Sequence, residues 1–298
     1  MVETPEWLMD TDHTTVSVII PALNEEKQIE ATVKCLLHLY PPAHEVIVVD
    51  GGSTDRTVQL ARAAGAIVLQ SGKGRAVQMN HGARRATGEI LCFLHADSTP
   101  PRSIVVAMRR ALADRRTVLG GFRTVIELHN RPLLFMTGHQ FLKTYYLPLL
   151  LRPPSFIRGL RCLFGDQTLF CRASDLWRVG GFDGSLPIME DADLCIRMHE
   201  AGPDASAPAV QDSDSMLTGA MRSSRQSPLD GVKHWAKRRG QVVMVNSPHA
   251  WTSGRRLQAW GNAHATAVHF ILGMSWYLGA TPQQMRNLYA RLYTDVYR

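Results

Sequence analysis

Two stretches decide the fold: Val16-Ser-Val-Ile-Ile-Pro-Ala-Leu-Asn-Glu25 and Glu45-Val-Ile-Val-Val-Asp-Gly-Gly-Ser-Thr-Asp55. Each is a short, β-branched apolar run that stops on polar, turn-forming residues, as a buried strand reads when a helix follows it. Asn24 is placed to cap a helix that opens with Glu25 and Glu26 and repeats Ile29, Val33, Leu36 and Leu37 on one face. Ser53 or Thr54 is placed to cap the next helix, which runs to Ala64. Working outward, residues 66–70 predict a third strand, 75–86 a helix, and 90–94 a fourth strand that ends in His95-Ala-Asp97. Strands alternating with helices imply right-handed βαβ units and an α/β fold with a mostly parallel sheet flanked by helices. In such sheets ligands bind beyond the carboxyl ends of the strands. The polar clusters at 24–25, 50–55 and 95–97 therefore converge on one edge.

The second half is less regular. Leu169-Phe-Cys171 reads as a strand, 177–182 as a helix end stopped by Gly180-Gly181, 190–201 as a helix and 242–245 as a strand. Two helices follow, over 257–278 and 282–296. Residues 203–230 are rich in Ser, Ala, Pro and Asp without periodicity, which predicts a disordered insertion. The expected organisation is a tail over 1–15, an α/β domain over 16–256 and a C-terminal helical extension over 257–298.

Composition excludes several classes. With 45% apolar and 20% charged residues over 298 positions, whole-chain disorder is excluded. The five cysteines are odd in number and scattered, so they do not form a disulfide scaffold and read as core residues of a reducing compartment. No basic apolar secretory run opens the chain, and a cytoplasmic location is expected. The net charge of +7 is concentrated: residues 101–160 hold ten Lys/Arg against Asp114 and Glu127, and 222–256 hold eight against Asp230. Such blocks suit nucleic acid, an anionic membrane surface or a phosphorylated ligand. Without zinc-finger spacing or an RNA-recognition signature, no nucleic-acid partner is expected. The apolar and basic stretch 131–151, and the uncharged stretch 260–280 with its His264, His269 and Asn262, predict peripheral contact with the inner membrane face.

The carboxylates carry the chemistry. Asp50-Gly-Gly-Ser-Thr-Asp55 puts glycines where backbone can approach a ligand and acids where ribose or base edges donate, although the same pattern makes a good turn anywhere. Asp97, after a fully apolar strand, suits a hard divalent cation on a diphosphate, with His95 as a second ligand or an outer partner. Glu190-Asp191-x-Asp193 opens a helix with more acids than the helix dipole asks for, and clustered carboxylates suit a general base. Gly165-Asp166-Gln167 adds polar groups aimed at the same edge.

These motifs, in this order, resemble the inverting family-two nucleotide-sugar glycosyltransferases of GT-A fold. The resemblance is closest to a bacterial-type subgroup with a Leu-His-Ala-Asp metal motif (Leu94 to Asp97), a Lys73-Gly74-Arg75 turn and the Gly165-Asp166-Gln167 step. His95 stands where the metal motif usually opens with an aspartate. The resemblance covers residues 16–202 and resumes over 241–256, and it implies roles. Pro21, Asn24, Glu25, Asp50 and Gly52 would hold the base and ribose, with Lys73 and Arg75 beside the base and diphosphate. Asp166 and Gln167 would face the substrate. Asp97, with His95, would bind Mn²⁺ or Mg²⁺, and Asp191 would be the catalytic base. Arg255 or Arg256, in Thr252-Ser-Gly-Arg-Arg256, would neutralise the leaving diphosphate. The implied partners are a nucleotide-sugar donor and an unnamed acceptor, lipid-linked ones included. The competing readings are a nucleotidyltransferase and a non-catalytic nucleotide-sugar binder or membrane-associated scaffold.

Overall fold

The computed structural model describes residues 12–128, 131–204, 239–254 and 261–292. The first half builds as its hydrophobic pattern requires. Strand β1 (Val16–Ala22) leads to α1 (Ile29–Leu37), β2 (Glu45–Asp50) to α2 (Thr57–Ala63), β3 (Ile67–Gln70) to α3 (Arg75–Arg85), and then comes β4 (Ile90–Phe93). These four strands are parallel, in spatial order β3-β2-β1-β4, with Ile19 opposite both Ile47 and Phe93. The two-residue period of a strand explains why both faces of β1 are apolar. Val16, Val18 and Ile20 pack with α1 and α4, while Ile19 packs with Ala76, Met79 and Ala83 of α3.

Beyond β4 the sheet becomes mixed. The chain continues through β5 (Ser98–Thr99), α4 (Ile104–Ala113), β6 (Thr117–Leu128), β7 (Arg131–Pro132), α5 (Leu134–Leu151), α6 (Pro153–Ile157), β8 (Leu169–Arg172), α7 (Ala173–Arg178), α8 (Glu190–Ala201) and β9 (Gln241–Ser253). It ends with α9 (Asn262–Tyr277) and α10 (Pro282–Leu292). The full order is β3-β2-β1-β4-β8-β6-β9-β5, with β7 paired to β6. Strand β8 enters antiparallel to β4, so parallel pairing is confined to the four N-terminal strands and the β6–β9 pair. Strand β6 was not expected because Gly120-Gly121 interrupts its apolar run. Gly120 is required there, since a Cβ would lie 2.2 Å from the Phe170 ring. Helices α9 and α10 form a small apolar cluster of Val268, Leu272 and Met285 against Ile188 and Met189, next to the start of α8.

Three boundaries differ from the sequence reading. Helix α1 begins at Ile29 because Asn24 takes a left-handed conformation (φ 55°) and spends its side chain on the neighbouring loop. Helix α2 begins at Thr57 with Arg56 in the cap position and no side-chain cap, and the Thr57 N–H donates to Asp55 Oδ1 at 2.9 Å, so neither Ser53 nor Thr54 caps it. Strand β9 extends well past the predicted 242–245. Of the predicted insertion, residues 205–230 lie outside the described residues, as do 1–11 of the tail and 257–260 and 293–298 of the extension.

Gln78 ties the site edge to the sheet. Its side chain, 4% exposed, lies on α3 and its amide donates to the carbonyls of Ala22 and Val49, both at 2.8 Å. Those carbonyls end β1 and begin the last step of β2. Gln78→Ala is expected to lower the unfolding free energy by about 1–3 kcal/mol, measured by urea denaturation.

Candidate functional site

The loops after β1 and β2 are zipped together. Asn24 N–H donates to Ser53 Oγ at 2.9 Å, and Thr54 N–H donates back to Asn24 Oδ1 at 2.9 Å. Glu25 N–H donates to Thr57 Oγ1 at 2.7 Å and Glu26 N–H to Asp55 Oδ2 at 3.1 Å. Asp50 is buried at the end of β2, and its carboxylate accepts from the N–H groups of Gly52 and Ser53 at 3.1 Å. Asp50 therefore shapes the turn, and Gly52, exposed at φ 97°, brings bare backbone to its rim. Pro21 is half-buried opposite Val49 at the end of the β1–β2 pairing.

A second cluster forms where α3, the 165–167 turn and α8 meet. Glu190 and Asp191, 2% and 4% exposed, open α8, and Arg75 from the start of α3 bridges them. Arg75 Nε lies 2.8 Å from Glu190 Oε1, and Arg75 Nη2 donates to Asp191 Oδ2. Gly165 N–H also donates to Asp191 Oδ2, at 2.8 Å. The other oxygen, Oδ1, is buried and has no hydrogen-bond partner among the described residues. Burial pushes the Asp191 carboxyl above its ordinary range, and Arg75 and the Gly165 N–H pull it back in part. Burial raises Glu190 likewise, opposed by Arg75. A carboxylate with one oxygen fixed and the other unpaired, and with raised proton affinity, can accept a proton.

Neighbouring acids have other tasks. Asp193 is tied to Arg197 at 2.6 Å, and Arg197 in turn holds the Val179 and Gly181 carbonyls. Asp166 accepts from the amide of Gln140 on α5, and its carbonyl accepts from Thr124 Oγ1 at 2.8 Å. Gln167 faces the core: it is 1% exposed, donates to Thr144 Oγ1 at 3.0 Å and accepts from Phe164 N–H at 2.8 Å. These bonds hold the turn, and the side chain expected to face the substrate is buried. Lys143, one turn from Gln140, places its ammonium 3.9 Å from the centre of the Phe164 ring. Burial pushes its amine down, and Asp166 and Asp191 push it back up. The sequence reading passed over Lys143, although a lone lysine in an apolar helical run was its signal. Gln78 carried no such signal.

His95 and Asp97 follow β4 and are half-buried. A Cβ on Gly165 would lie 2.6 Å from both His95 Nε2 and Arg75 Nη2, so His95 stands on the Asp191 side, beside the guanidinium. Among the described residues no three His, Cys, Asp or Glu side chains cluster as a metal site. Lys73 is exposed before α3. Arg255 and Arg256 lie outside the described residues, but the strand leading to them pairs Thr252 with Ser98, next to Asp97.

Comparison with known proteins places this architecture. Residues 17–173, more than half of the chain, match the family Glycosyl transferase family 2, and the chain belongs to it. It is 27% identical over 202 residues to the probable glycosyltransferase YdaM of Bacillus subtilis, covering 63% of this chain and 47% of that protein. It is 38% identical over 131 residues to glucosyl-3-phosphoglycerate synthase of Mycolicibacterium smegmatis, covering 40% and 42%. The chain thus spans less than half the length of these relatives. Among solved structures, the mannosyltransferase PcManGT of Pyrobaculum calidifontis, in complex with GDP-Man and Mn²⁺, superposes with a TM-score of 0.59 at 18% identity, covering 97% and 74%. Glucosyl-3-phosphoglycerate synthase of Mycobacterium tuberculosis, in complex with Mn²⁺, UDP and phosphoglyceric acid, gives 0.54 at 20%, covering 90% and 80%. The fold is that of GT-A glycosyltransferases.

Removing Arg75 would leave two buried carboxyls without their cation. Arg75→Gln is expected to cost about 2 kcal/mol at neutral pH, less than a fully buried pair because the arginine is about a third exposed. The folded carboxyls then sit still further above their unfolded values. Protonation is favoured in the folded state, so stability is retained at acidic pH and lost as pH rises through the raised folded values. Urea denaturation across mildly acidic to mildly alkaline pH should show the deficit growing with pH.

Proposed function

We propose that this chain transfers a hexose from a nucleotide-sugar to an acceptor hydroxyl, in a metal-assisted, single-displacement reaction that inverts the anomeric carbon. The observation that carries the reading is the Asp191 carboxylate, clamped on Oδ2 by Arg75 and the Gly165 N–H and buried without a hydrogen-bond partner on Oδ1 among the described residues. In this reading the acceptor oxygen attacks the anomeric carbon as Asp191 Oδ1 takes its proton, and the bond to the nucleoside diphosphate breaks. No covalent enzyme intermediate is needed. Arg75 favours the ionised form of Asp191 and orients it, while its second contact with Glu190 fixes the guanidinium.

The donor would lie along the edge made by the zipped loops 21–25 and 50–55, with Gly52 giving backbone access and Lys73 beside the phosphates. Asp97 is the residue that would hold Mn²⁺ or Mg²⁺, since a hard cation already bound to a diphosphate asks for one or two carboxylates. His95, with a guanidinium beside it, fits the outer shell better than direct coordination. When bound, the cation would neutralise charge that develops on the leaving diphosphate. Arg255 and Arg256 would add to that neutralisation.

Two substitutions separate these roles. Asp97→Ala should weaken donor binding only when Mn²⁺ or Mg²⁺ is present. Asp191→Asn should keep donor affinity and metal dependence while turnover falls by about 10²–10⁴-fold. Donor titration by thermal shift, paired with a nucleoside-diphosphate release assay, reads both. Near-full turnover in Asp191→Asn would remove the base assignment, and normal donor binding with no turnover in the unaltered chain would favour a non-catalytic binder. The acid limb of the rate profile should lie above the ordinary carboxylate range, because the base must lose its proton and burial raises Asp191.

A further inference from the structure

Helix α5 is amphipathic the wrong way round. Its inward stripe, four residues apart, is Met136, Gln140, Thr144 and Pro148, with Thr137 beside it, and the polar members bond to the site turn or to strand β6. Its outward stripe, seven apart, is Phe135, Leu142 and Leu149, flanked by Leu134 and Leu150. Leu134, Phe135 and Leu150 are 77%, 68% and 71% exposed, and Ile157 of α6 is 82% exposed. A helix in water normally shows the opposite pattern, with its apolar stripe buried. An exposed stripe of large apolar side chains marks a surface that something else covers.

The neighbouring helix continues the pattern. Tyr277 of α9 donates its hydroxyl to the Leu151 carbonyl, and Leu147, Pro148, Gly273 and Trp276 line one pocket between the two helices. Helix α9 exposes Phe270 and Ile271, and Leu278 follows at 77% exposed. The sequence from 260 to 280 carries no Asp, Glu, Lys or Arg. Charge identifies the occupant. From residue 128 to 165 there is no Asp or Glu, while Arg131 precedes α5 and Arg152, which is ion-paired with Glu200 at 2.8 Å, and Arg158 follow it. Cations at both ends of an outward apolar stripe match a helix lying in the headgroup plane of an anionic bilayer. A second copy of the same face would set these cations against each other. No helix among the described residues is long and apolar enough to cross a membrane, which a helix lying flat does not require.

We propose that the outward face of α5 and α6, continued by α9, docks this protein on an anionic lipid surface. The proposal does not rest on glycosyl transfer, and its test does not use activity. The full chain is floated with vesicles of phosphatidylcholine alone, and with vesicles that also contain phosphatidylglycerol. Flotation with the anionic vesicles at low salt, lost at high salt and weak with phosphatidylcholine alone, is the expected result. Phe135→Ser should weaken binding about tenfold and Arg131→Gln about fivefold. Both sites are exposed, so the melting temperature should stay unchanged. No flotation at low salt would overturn the proposal, as would binding by both variants equal to that of the unaltered chain. A concentration-dependent dimer in size-exclusion chromatography that Phe135→Ser dissolves would also overturn it, by assigning the face to a second copy.

Discussion

The guanidinium of Arg75 between Glu190 and Asp191 is the contact on which the site depends. It joins α3 to α8 across 116 residues of sequence and sets its charge against two carboxyls whose proton affinity burial raises. The cluster tolerates no extra atom, since a Cβ at Gly165 would strike both Arg75 and His95. Met189, immediately before the acid pair, sits at φ 74°, a conformation that costs a residue with a side chain and recurs at functional sites. The local strain and the buried charge are tolerated because the surrounding helices determine the geometry.

That determination comes largely from α5. Gln140 fixes the Asp166 carboxylate, Thr144 receives the Gln167 amide, and Gln167 returns a bond to Phe164, so the turn that presents the Gly165 N–H to Asp191 is held from below. Lys143 adds a positive charge toward Asp166 and Asp191 from the same helix face. The helix whose outward face is apolar is therefore the one whose inward face holds the turn against Asp191, so the proposed docking face and the proposed base share one element.

The alternating strands and helices of residues 16–97 were legible because period and turn chemistry agree there: Val16 to Ile20 and Val46 to Val49 can only be buried strands. The positions of Asp50, Asp97 and Asp191 along the chain could be read for the same reason, since each ends, follows or begins a predicted element. What could not be read depends on contacts far apart in sequence. Nothing near Asn24 announces that its side chain serves Thr54 rather than α1, and nothing near Gln167 announces that Thr144 claims it. Strand β6 was hidden by two glycines whose purpose is the Phe170 ring. The polar residues of 131–151 were visible, but a peptide string does not say which side of a helix faces inward.

The stereochemistry of transfer tests the account most directly. A single displacement with Asp191 as base turns an α-configured nucleotide-sugar into a β-configured product, read from the anomeric proton coupling in the NMR spectrum of the first product formed. The account predicts the β-anomer. An α-configured product would require a second nucleophile or a front-face reaction and would contradict it.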